Sequence, residues 1–165
     1  MESMEIVKKF KRYQPLAVLI LLTILESWAL VYDLGDGLIE GVHYFMGLFF
    51  CQFAMLKLFH LEGFVDGFRK YDLLAIKVAG YGYVYPFIEL FLGLAYLAFV
   101  YPMAVYMITI IVMVISAIGV IKALRKGLNV KCACMGTILD VPLSTVTLSE
   151  DIVMGVMAVI MLFTM

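Results

Sequence analysis

A chain of 165 residues that is 65% hydrophobic and only 15% charged, with a mean hydropathy of +1.06, does not fit a soluble domain, where about 25% of residues carry charge. A domain of this size exposes much of its surface, so the apolar excess has no core large enough to hide in, and lipid must act as the solvent. The net charge of −1 points to no nucleic-acid partner, and three cysteines are too few for a secreted disulfide scaffold.

The expected fold is all-α: one integral membrane domain over residues 1–165, built as a polytopic bundle of five helices. A spanning helix needs about 20 apolar residues. The first such run covers 15–33 and stops at the Asp33–Gly37 turn cluster. The second covers 42–62, and its apolar run from His43 to Leu61 is interrupted only by Gln52, Lys57 and His60. From Tyr83 to Ile121 the chain stays apolar for roughly twice the length of one span. Pro102 lies in the middle of that stretch and removes a helical hydrogen bond there, which predicts a tight hairpin of two helices, 83–101 and 103–122. Thr147 and Glu150 have capping-box spacing, with Asp151 adding a second carboxylate, and predict a last helix over 148–165.

Basic residues set the orientation. Lys8, Lys9, Lys11 and Arg12 precede the first helix. Arg69, Lys70 and Lys77 follow the second, and Lys122, Arg125, Lys126 and Lys131 fall between the last two; the 33–41 and Tyr101 turns hold none. The alternation predicts a cytoplasmic N-terminus and a C-terminus on the far side. Ser27-Trp28-Ala29 loosely resembles a cleavage site, but Glu26 just before it and the apolar continuation to Tyr32 favour a retained first helix.

Cys132-Ala133-Cys134 carries the sharpest chemical signal. The pair sits in a polar, basic connection beside Lys131, whose charge favours thiolate. Two thiols at this spacing suit either a small, labile disulfide that exchanges electrons or a chelate for Cu(I), Zn(II) or Hg(II); a third reading leaves them as inert loop cysteines. The charge count puts them on the cytoplasmic side, where thiols are kept reduced. A redox role there would draw on a cytoplasmic thiol donor and could pass inward through Cys51, a mid-helix cysteine that otherwise reads as a packing residue.

Glu26, Lys57 and Glu89 are ionisable groups inside apolar runs, and such groups usually face the bundle interior. Lys57 and Glu89 lie at equal depth from one membrane face, so an interhelical ion pair and a snorkelling lysine both fit. Glu26 lies deeper, suited to a hydrogen-bonded neighbour or a proton- or substrate-linked role. Met154, Met157, Met161 and Met165 share one helical face, a pattern that serves packing more readily than metal transfer.

Three stretches and the tail carry a family resemblance: Lys57-Leu-Phe-His-Leu-Glu-Gly63-Phe64, Phe68-Arg-Lys-Tyr71-Asp72-Leu-Leu-Ala75, Tyr85-Pro86-Phe87-Ile-Glu89-Leu, and Cys132-Ala-Cys-Met-Gly136-Thr137 with Val141-Pro142-Leu143 and Leu148-Ser-Glu150-Asp151. Together, over about residues 43–165, they resemble the MauE/DoxX group of redox-associated membrane proteins. The resemblance implies a DoxX-like four-helix core in the cytoplasmic membrane of a bacterium. It also implies a part in methylamine utilisation, in maturation of the disulfide-rich subunit of methylamine dehydrogenase. Cys132 and Cys134 become, by analogy, a thiol–disulfide pair acting on a partner protein, with Glu26, Cys51, Lys57 and Glu89 in support. Nothing in these stretches is a catalytic signature, so they neither require nor exclude an enzyme. No cofactor is expected apart from the soft metal ion of the chelate reading, and the expected partners are the lipid bilayer and a redox partner.

Overall fold

A computed structural model of the protein describes residues 2–78, 80–127 and 143–164, and the side chains of 13–78, 80–127 and 148–164. The described residues are helical throughout their ordered elements: α1 Glu2–Leu34, α2 Leu38–Phe59, α3 Leu61–Phe68, α4 Tyr81–Leu97, α5 Pro102–Arg125 and α6 Leu143–Thr164. The fold is an all-α polytopic bundle. Among the described residues three helical segments are long and apolar enough to cross a membrane: Tyr13–Leu34, Leu38–Phe59 and Pro102–Arg125. With 17 residues, α4 extends only about 26 Å.

The boundaries follow local chemistry. Gly35 adopts φ +71° after α1, and its N–H and that of Asp36 both bond the carbonyl of Val31, closing the helix with the left-handed residue that glycine accepts without a Cβ clash. The Gly37 N–H then donates to Glu40 at 3.0 Å to open α2. Pro102 opens α5 at a position where its missing N–H costs nothing.

Three elements differ from the sequence reading. Helix α1 begins at Glu2, not 15, and runs through Pro15. The stretch read as the end of a 42–62 helix breaks at His60, whose φ of −135° and ψ of 58° are not helical, and a separate helix α3 follows. Finally, α6 starts at Leu143, so Thr147 lies inside the helix and does not cap it.

Helices α2, α4, α5 and α6 form the core; α2 pairs with α4, α5 with α6, and α1 lies outside against α2. The α2–α4 contact is close because both sides are small. A Cβ on Gly47 would come within 3.0 Å of the Gly93 carbonyl, and a Cβ on Gly93 within 2.7 Å of Cys51 Sγ. Small residues at this spacing let helix backbones approach in lipid, where no hydrophobic effect drives the helices together. The turn after α3 presses equally closely on α5: a Cβ on Gly119 would meet the Tyr71 carbonyl at 2.8 Å.

Candidate functional site

The strongest concentration of buried charge lies where α2, α4, α5 and α6 meet, at the end of the bundle reached by α3 and the following turn. The Lys57 ammonium and the Glu89 carboxylate form a salt bridge there, both nearly sealed from solvent. The ion pair forms in place of the snorkelling alternative because α3 folds back beneath Lys57. The ammonium lies 5.7 Å from the Phe64 ring centroid and 5.2 Å from that of Tyr85, so aromatic faces replace part of its hydration. The Tyr85 hydroxyl also hydrogen-bonds Glu89.

A second buried carboxylate stands across from this pair. Asp151 of α6 accepts a 2.8 Å hydrogen bond from the Ser116 hydroxyl of α5. A cavity of about 10 Å³ lies among Lys57, Glu89, Ser116, Glu150 and Asp151, space for about one water molecule. Two helix pairs are thus tied through polar contacts around one small void. Burying charge in a bundle that lies in lipid is costly unless it is paired, and here Lys57, Glu89 and Asp151 each meet a partner from another helix.

The turn beneath this cluster carries its own buried acid. Asp72 Oδ1 accepts the N–H groups of Leu74 and Ala75, each at 2.9 Å. Its Oδ2 is buried with no hydrogen-bond partner among the described residues. Burial pushes this carboxyl above the usual carboxylate range, and the two backbone donors offset only part of that.

At the opposite end the buried side chains among the described residues include no carboxylate or ammonium, and Asp36 and Glu40 are only partly buried. His43 is 1% exposed, stacked on Phe99 at 4.2 Å between ring centroids, with its Nε2 3.3 Å from the Tyr106 hydroxyl. The Tyr96 hydroxyl donates to Thr109 at 3.1 Å. Phe99 and Tyr101 take positive φ values of 51° and 44°, an uncommon backbone for bulky residues, and this tight hairpin carries the Phe99 ring over the imidazole.

The remaining sequence candidates are dispersed. Glu26 faces outward on α1 and accepts a 2.6 Å hydrogen bond from the Gln52 side chain, whose oxygen in turn accepts from Thr23 at 2.7 Å. This chain clasps α1 to α2. Cys51, the one cysteine among the described residues, is a free thiol wedged against Gly93, a packing position. Met154 and Met161 are buried in the core and Met157 packs against it. Cys132 and Cys134 lie outside the described residues, in the connection between the C-terminal end of α5 and the N-terminal end of α6. Of the groups forming the charged cluster, Lys57 and Glu89 were readable as interruptions of apolar runs. Ser116 and Asp151 were not: the serine is a minor interruption, and the aspartate looked like one of two carboxylates opening a helix.

The match to known families covers the core and leaves out α1. The family described as Methylamine utilisation protein MauE matches residues 35–164. The chain belongs to the MauE family. Its membrane helices and its all-α bundle agree with a membrane protein of the methylamine utilisation type. No curated protein and no solved structure matches the chain.

Proposed function

We propose that this MauE-family chain supports maturation of a partner protein by thiol–disulfide exchange, with Cys132 and Cys134 as the exchanging pair. The observation that carries this reading is the C-x-C pair itself, which lies within the residues matched to the family and beside Lys131. One cysteine thiolate attacks the partner's disulfide, releasing one partner thiolate and leaving a mixed disulfide. The second cysteine displaces the remaining partner thiol, so two electrons pass to the partner and the pair closes as a small-ring disulfide. A dithiol donor returns it to the reduced form.

The proposed setting is a bacterial cytoplasmic membrane with a cytoplasmic N-terminus, so the donor is a cytoplasmic thiol. Lys57 and Glu89 act in support by holding α2 against α4, and Glu26 by holding α1 to α2. Cys51 takes no electrons in this reading; its half-buried thiol packs against Gly93.

Alkylation of the full-length protein in acid-quenched cells tests the proposal. Cys132 and Cys134 are expected to trap in both thiol and disulfide forms, with a mixed-disulfide adduct to a partner that accumulates when either cysteine alone is changed to serine. A pair found permanently reduced, with Cu(I), Zn(II) or Hg(II) bound stoichiometrically and lost in Cys132→Ser/Cys134→Ser, overturns it in favour of soft-metal handling. Membrane-impermeant thiol labelling of intact cells and opened membranes fixes the side: labelling only after opening is expected.

A further inference from the structure

We propose that α1 docks a transmembrane helix of another protein, one that carries an arginine or lysine at mid-membrane and pairs it with Glu26. Glu26 lies about 12 Å from the nearer end of the Tyr13–Leu34 span at the helical rise, deep in the hydrocarbon. Its side chain is exposed on the outer surface of the bundle. The deep ionisable groups of the core, His43, Lys57, Glu89 and Asp151, are all buried, as such groups in lipid normally are. Glu26 breaks that rule, on a helix that lies outside the core and outside the residues matched to the family.

The hydrogen bonds around Glu26 run toward it and end there. The Thr23 hydroxyl donates to the Gln52 side-chain oxygen, and the Gln52 amide donates to Glu26 Oε2. Gln52 is the one hydrogen-bond partner of Glu26 among the described residues, which leaves Oε1 to be satisfied. Hydrocarbon offers no donor, and at this depth no lipid headgroup is within reach. A cation brought by another helix fits, because charge in lipid is held by pairing between helices, as Lys57 and Glu89 are inside this bundle. The surrounding surface also suits a helix. Leu22, Glu26, Ala29 and Asp33 are all exposed and stand four, three and four residues apart, the spacing of a seam along which a second helix packs. Ala29 is small enough for close approach beside the carboxylate, and Asp33 adds a second acid to the same stripe near the membrane face. A second copy of this chain does not supply the cation. Lys57 is held by Glu89, and the remaining lysines and arginines lie outside the apolar stretches or in the last turn of α5. This docking site is independent of the cysteine chemistry proposed above.

Energy transfer from the labelled full-length protein in phosphatidylcholine vesicles to a synthetic transmembrane peptide of leucine and alanine tests the site. The peptide carries a single arginine at its centre, or leucine there as the reference. The arginine peptide is expected to bind about tenfold more tightly, the scale of one polar contact between helices in a membrane. Glu26→Gln keeps an oxygen for Gln52 and should remove that preference while the melting temperature stays unchanged. Asp33→Asn, near the membrane face, should leave most of it, and Ala29→Trp should weaken binding of the arginine peptide by blocking the approach. In cells, a photoreactive benzoylphenylalanine in place of Leu25, exposed beside the stripe, is expected to cross-link another membrane protein through a spanning segment that contains a lysine or arginine. Glu26→Gln should abolish that adduct. Equal binding of the two peptides overturns the proposal, as does a preference that survives Glu26→Gln. So does the lack of an adduct, or one that joins two copies of this chain or a spanning segment without a basic residue.

Discussion

Lys57 and His43 stand on the same helix, 14 residues and so about 21 Å apart, and the two are housed by opposite means. Lys57 meets a carboxylate from α4, two aromatic faces and a small void shared with α5 and α6. His43 meets three aromatic rings and one hydroxyl, with no charged side chain hydrogen-bonded to it. The His43 imidazole bonds Tyr106 through Nε2 and leaves Nδ1 buried without a hydrogen-bond partner among the described residues, a smaller cost than an ammonium without its counter-charge. The neutral end is therefore a structural clasp that holds the α4–α5 hairpin, while the charged end couples four helices through groups whose loss leaves a bare charge.

That contrast can be broken most sharply at the ion pair. Glu89→Leu leaves Lys57 buried without its carboxylate and is expected to cost about 3–5 kcal/mol, read as loss of thermal stability in detergent. Lys57→Met/Glu89→Leu should recover most of that loss; a double variant as unstable as the single one would show that the site needs charge and not merely shape. Next in size is the small-residue contact between the two ends: Gly93→Ala forces Cys51 and the α2 backbone apart and should cost about 1–3 kcal/mol. If Cys51→Ala relieves part of that cost, packing is its role.

Ser116→Ala removes a donor to Asp151 and should cost about 1–3 kcal/mol, whereas Tyr106→Phe at the neutral end should cost only about 0.5–1.5 kcal/mol. Equal losses at the two positions would erase the distinction between the ends. The smallest effect concerns pH. Asp72 has its folded pKa raised above the unfolded value of 3.8. Its contribution to stability is therefore complete below that value and declines as pH rises through the folded value. Asp72→Asn keeps an oxygen for the Leu74 and Ala75 N–H groups and should flatten that decline, measured as a smaller fall in melting temperature from acid to neutral pH.

The parts of this arrangement that were legible in the sequence share one physical cause. A charge inside an apolar run is so costly that its presence alone marks an inward-facing, partnered group, and Lys57 and Glu89 announce themselves in that way. Pro102 announces the hairpin because it cannot continue a helix from α4. By contrast, α3 was hidden because Glu62, Gly63, Asp66 and Gly67 interrupt Leu61–Phe68 and read as a loop beyond the second span, whereas the structure makes it a helix set off by the non-helical backbone at His60. His43 gave no such signal in the sequence, and only the Phe99 ring laid over it shows its burial.

Composition and the placement of charge thus determined the solvent, the all-helical class, the turn at Pro102 and the expectation of a partner for each buried charge, because lipid penalises every unsatisfied polar group whatever the fold. Which groups meet was decided only by the tertiary structure. The Ser116–Asp151 contact and the approach of Gly47 to Gly93 depend on how helices distant in sequence are set against one another. Where lipid is as apolar as the side chains, that setting comes from close packing of small residues and from hydrogen bonds between helices, neither of which leaves a periodic mark along the chain.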